Sequence, residues 1–181
     1  AAEQIFELQR PVVSAAKSLF SHFRHAPLHL LTGRGHHFVW KISRDSRAFA
    51  QLSVLGRMSA SLQRLYASMP GPTGEAVAAK VGAAFAGLGL VMEFVVCEIK
   101  TRAAEKCQLP VDLGAIEAGG AERGREVIAV DITEYADPLC SRVMRVPFTV
   151  YLKPWQQRAE LGDETVGRLA PLFVIPLDRI D

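Results

Sequence analysis

Residues 95 to 107 read VVCEIKTRAAEKC, and whether they coil or extend decides what the middle of the chain is. Side chains two apart share one side of a strand but lie about 200° apart around a helix. Glu98 and Lys100 therefore converge in the first case and diverge in the second. As a helix, Phe85, Leu88, Met92, Val95, Ile99 and Ala103 form one apolar stripe at steps of three and four, and Glu98 with Arg102 forms an i,i+4 pair. As a strand, Gly87 and Gly89 end the preceding helix and Leu90 to Thr101 is a run rich in β-branched side chains. Each glycine costs a helix about 1 kcal/mol relative to Ala, yet the stripe crosses both without a phase slip. The helix is the preferred reading.

Working back from this stretch, an Ala-rich helix runs to at least Ala86. It follows the breaker MPGPTGE at 69–75, with Thr73 or Gly74 expected as N-cap and Glu75 in the first turn. Before it, Phe49, Leu52, Leu55, Met58, Leu62 and Leu65 predict a helix over 46–68. HHFVWKIS at 36–43 alternates Phe38, Trp40 and Ile42 against His37, Val39 and Lys41, as a short strand does. Pro27, Gly33 and Gly35 mark a loop, and residues 3–24 read as an amphipathic helix with Pro11 either kinking it or opening a second one.

Working forward, Pro110, Gly114, Gly119, Gly120 and Gly124 predict a loop over 108–125. Strands are expected at 125–133, at 141–155 with Pro147 at an edge or bulge, and at 171–178, with a short helix at 162–170. Helices thus precede strands, an order that predicts α+β. The expectation is a helix-rich N-terminal two thirds packed with a small, mainly antiparallel sheet from the C-terminal third. It divides as a basic, mainly helical portion at 1–107, the loop at 108–125, and a strand-rich portion of the same domain at 126–181.

A chain of 181 residues folding as one domain buries roughly 70% of the surface it exposes unfolded. With Gly counted and Tyr omitted, about 55% of it is apolar, above the usual 45–50%. That excess predicts a partner surface. Net charge is +2, unevenly spread: no acid occurs between Glu7 and Asp45, a stretch that holds six Lys or Arg and all five histidines. Such acid-poor sequence has the composition of an organelle transit peptide. Cys97, Cys107 and Cys140 lack the close spacing of a zinc or redox motif and read as free thiols. The expected location is a reducing intracellular compartment, with an organelle such as the mitochondrion in view.

Four constellations carry chemistry. VVCEIKTR at 95–102 resembles the catalytic strand of the PD-(D/E)XK nucleases, and GEAVAAKVGAAFAGLGL at 74–90 resembles the helix they place early. The resemblance implies a divalent-metal-dependent nuclease with Glu98 as ligand and Lys100 steadying the attacking water or leaving phosphate. That family also needs an Asp upstream, and none occurs between Asp45 and Asp112. His22, His25 and His29 have the spacing of helical metal ligands, but Pro27 breaks the helix that would align them. His36 and His37 would face opposite ways on a strand. These histidines read as solvated or capping, and neither a metal site nor a cofactor is expected.

The third constellation is the weakly charged stretch 81–97, with Gly82, Ala83, Ala86 and Gly87 at the small-xxx-small spacing of close helix packing. Lys80, Glu93 and Glu98 argue for a core or interface helix over a bilayer span. The fourth is a basic set, Arg34, Lys41, Arg44 and Arg47, interleaved with Trp40, which predicts a surface for an anionic partner such as nucleic acid or lipid headgroups. No nucleophile elbow and no Gly-rich phosphate loop is present. The leading expectation is a non-catalytic structural or adaptor subunit of a larger assembly, meeting other protein subunits. A metal-dependent nuclease comes second and a nucleic-acid-binding module third.

Overall fold

The computed structural model describes residues 2–32, 35–69, 74–114, 126–132, 146–150, 153–156, 158–169 and 173–177. Its fold is α+β, and its contacts divide the chain into two compact units. One comprises residues 1–7, 23–40 and 143–181, the other residues 8–22 and 41–142. Helix α1 (Ala2–Phe20) belongs to both and runs through Pro11 as a single element. Proline costs the ladder a donor there. Burial of Ala15, Ala16 and Phe20 anchors the half that follows.

The first unit is built on a three-stranded antiparallel sheet in the order β2-β1-β5. Strand β1 (Leu28–Thr32) pairs with β2 (Gly35–Val39) from Leu28↔Val39 to Thr32↔Gly35, and with β5 (Val174–Pro176) from Leu30↔Pro176 to Thr32↔Val174. The sheet is antiparallel as expected, but β1 and β2 come from the N-terminal part of the chain and only β5 from the C-terminal third. Its central strand, however, comes from residues read as loop in the sequence, where Pro27 and the glycines masked it. LHLLT lacks strict alternation because both of its faces are partly buried, Leu30 and Thr32 on one and His29 on the other. Strand β2 ends at Val39, short of the expected 43.

Residues 146–150, read as strand, instead form a turn in which the Thr149 N–H donates to the Val146 carbonyl at 3.2 Å. The segment then runs along the outer edge of β5, with Phe148 N donating to Val174 O at 2.8 Å and Val174 N to Thr149 O at 3.0 Å. Residues 153–155, also read as strand, belong to the short helix α5 (Lys153–Gln156), which Pro154 can enter near its start without forfeiting a hydrogen bond. Helices α6 (Arg158–Leu161) and α7 (Asp163–Leu169) follow, and Val166 is buried.

The second unit is organised around α4 (Ala79–Ala104), against which α2 (Arg47–Leu55), α3 (Ala60–Ser68) and β3 (Val111–Leu113) pack. The helix expected over 46–68 is two helices. Gly56 turns extended, and the Ser59 hydroxyl recaps the chain by accepting from Leu62 N at 3.2 Å, as Ser46 does from Phe49 N at 3.1 Å. Periodicity missed the break because Met58, Leu62 and Leu65 keep their phase across it. Gly74 does not cap α4 either, and Thr73, the other expected cap, lies outside the described residues. Helix α4 starts at Ala79, because Val77 N is held by the Tyr66 carbonyl at 3.2 Å and residues 75–77 are thereby tied back to α3. Strand β3, inside the expected loop, pairs in parallel with β4 (Ile128–Val130). Residues 115–125 and 133–145 lie outside the described set.

Candidate functional site

The stretch 95–107 is helical as far as Ala104, and Glu105, Lys106 and Cys107 follow the helix end. Residues 90–101 lie inside α4, whose buried side carries Met92, Val95, Val96, Ile99 and Ala103. Glu98 and Lys100 therefore point about 200° apart around the helix. The Glu98 carboxylate accepts from Arg102 at 3.1 Å, the i,i+4 pair read in the sequence. The convergent geometry that the nuclease resemblance implies is not met, since a metal-binding Glu and its Lys must face one cation. Among the described residues no group of three His, Cys, Asp or Glu could hold a metal ion.

The basic set is divided. Trp40 belongs to the first unit, half-buried with its ring 5.9 Å from that of Phe23, while Lys41, Arg44 and Arg47 are exposed in the second. Arg34 lies outside the described residues. Lys41 and Arg44 are carried on the irregular segment leading to the Ser46 cap, and Arg47 is the first residue of α2.

The histidines separate by environment. His22 and His25 follow the end of α1 and are exposed, which leaves no common helix with His29. His29, expected to be solvated or capping, is 1% exposed. It stacks on Phe38 across the hairpin with centroids 4.4 Å apart, and its Nε2 shares a hydrogen bond with Nδ1 of His36 at 2.8 Å. Phe6 meets the His36 ring edge-on at 5.8 Å. A two-residue alternation on β1 places His29 on the side of His36 and Phe38. Residues 28–32 had to be recognised as a strand before that pairing was legible.

What the sequence reading did not single out is the outward side of α4. Leu90 is 51% exposed and Phe94 64% exposed, with Cys97, Thr101 and Ala104 exposed beyond them. Apolar residues ring this helix on every side, a pattern suited to complete burial, yet one side is left open. Helix α4 is also, among the described residues, the one long and apolar enough to cross a membrane. It packs against α2 and α3 with Gly87 close to Leu52 and Gly82 close to Tyr66. Comparison with known proteins returned no match to this chain among family descriptions, curated proteins or solved structures.

Proposed function

We propose that this chain is a non-catalytic structural or adaptor subunit of a larger assembly, docking on other protein subunits through apolar helix faces and the basic N-terminal portion. The observation that carries this reading is the open side of α4: a helix apolar all round whose Leu90 and Phe94 stay in solvent is complete only against a partner. Glu98, occupied by Arg102 and turned away from Lys100, supports a passive role over nuclease chemistry. The cations Lys41, Arg44 and Arg47, all exposed, favour an anionic surface on that partner. The free thiols Cys97 and Cys107 suit a reducing compartment, the mitochondrion among the organelles proposed.

The test is the native mass of the tagged full chain in extract of the cells it comes from. A complex heavier than two chains, lost with Phe94→Asp while the variant stays folded by circular dichroism, is the expected result. A chain that never exceeds the mass of two copies would overturn the reading. The nucleic-acid-binding alternative predicts retention on labelled DNA or RNA that weakens steeply with salt and fails in the combined Lys41, Arg44 and Arg47 alanine variant.

A further inference from the structure

The open side of α4 has a repeat. Leu90, Phe94, Cys97, Thr101 and Ala104 follow one another at steps of four, three, four and three, all exposed, which is the seam spacing of a two-helix coiled coil. At 1.5 Å per residue the seam is roughly 21 Å long. Its flanks differ. On one flank Glu98 is neutralised within its own helix by Arg102. On the other stand Glu93, exposed, and Lys100, half-buried. They are seven residues and roughly 10 Å apart, too far to meet each other, and neither has an ion-pair partner among the described residues.

We propose that this seam is occupied by the same seam of a second copy of the chain, running antiparallel, with Glu93 of each copy meeting Lys100 of the other. A two-fold axis near the midpoint of residues 94 and 97 sets Phe94 opposite Cys97 and Leu90 opposite Thr101. Because the contact is isologous, every favourable pair is made twice. Antiparallel packing brings like flanks together, so both Glu93–Lys100 pairs form and Glu98 faces Val91. Parallel packing would set Glu93 against Glu98 of the other copy, twice, and flanking charges of this kind select orientation. The inference deepens the assembly reading by naming what covers α4.

Sedimentation velocity on the purified full chain, from micromolar to about half-millimolar concentration, tests it with four variants: Glu93→Lys, Lys100→Glu, both together, and Phe94→Asp. The expected result is a monomer–dimer equilibrium that each single reversal weakens about tenfold and that the double reversal restores to within about twofold. Phe94→Asp abolishes it with the melting transition intact. Alkylation of Cys97 slows in the dimer relative to Cys107, which lies beyond α4 and whose thiol burial pushes up. A chain monomeric throughout, a dimer indifferent to the reversals, a double variant as weak as the singles, or a monomer that floats with phosphatidylcholine vesicles would each overturn the pairing. A purified monomer that still runs in a heavy complex in extract overturns the pairing and leaves the assembly reading standing. A dimer that exceeds two chains nowhere does the reverse.

Discussion

Gly56 and Gly87 bring the backbones of α2 and α4 into contact: a Cβ on Gly56 would lie 1.9 Å from Ala83 O and 2.4 Å from Gly87 N, and one on Gly87 would lie 2.1 Å from Leu52 O. These are backbone atoms, so no rotamer change relieves them. Gly87→Ala is expected to destabilise the chain by about 3 kcal/mol, at the upper end for overpacking, because two helices must part. Gly89, two residues on in the same helix, has nothing within 4 Å of its would-be Cβ. Gly89→Ala should stabilise by about 0.5–1 kcal/mol through helix propensity alone. Urea unfolding of the two variants checks both signs in one helix.

That pair of glycines also explains how much of the fold was legible. The sequence made them a dilemma, since glycine both lowers helix propensity and permits close packing. The continuous phase from Phe85 to Ala103 resolved it toward a helix, and α4 is the result. The break at Gly56 was not legible, because its cause is the neighbouring helix and local phase runs on through Met58. Strand β1 was hidden for a related reason: its pairing partners β2 and β5 lie on either side, and β5 is about 140 residues away, so its burial pattern reports tertiary contacts that propensity cannot carry. Of the candidate residues, Glu98 was placed correctly against Arg102 from spacing alone. The open side of α4 was overlooked because a helix apolar all round gives no sign of which side its own chain will cover.

Phe148 adopts φ 66° as the third residue of the turn in which Thr149 N donates to Val146 O. With Pro147 before it, this is the arrangement of a type II turn, where the third position favours Gly or Asn. Phe148 is 71% exposed, so little burial compensates a left-handed backbone that costs a side chain roughly 1–2 kcal/mol. Phe148→Gly and Phe148→Asn should each stabilise the chain by about 1 kcal/mol, read as an upward shift of the thermal midpoint. A fall instead would assign the phenylalanine a packing role that its exposure denies.

Asp163, in the first turn of α7, accepts a hydrogen bond from the Arg158 guanidinium, and that bond, reinforced by the charge attraction, holds its carboxyl below the ordinary aspartate range. A depressed carboxylate stabilises the folded chain above its unfolded pKa and loses that contribution as pH falls through the folded value. Arg158 is shifted up by the same pair, so its contribution is lost only at strongly alkaline pH. Both side chains are solvated, and the effect on stability is correspondingly small. Carboxyl-carbon resonance titration should place the Asp163 midpoint below that of a free aspartate, and Arg158→Gln should return it toward the ordinary value.

Glu98→Ala separates the two chemical readings of the central helix. The pair it forms with Arg102 is exposed on both sides, at 43% for the arginine and 36% for the glutamate side chain, so its loss should cost only about 0.3–0.5 kcal/mol. Ala has the higher helix propensity and offsets part of even that. Incubation with labelled DNA or RNA and Mg²⁺ or Mn²⁺ should show the same absence of cleavage for the native chain and for Glu98→Ala. Cleavage that disappears in the variant would mean that Glu98 leaves Arg102 and swings toward a cation, against the 200° divergence that the helix imposes on it and Lys100. The passive role would then fall with that single result.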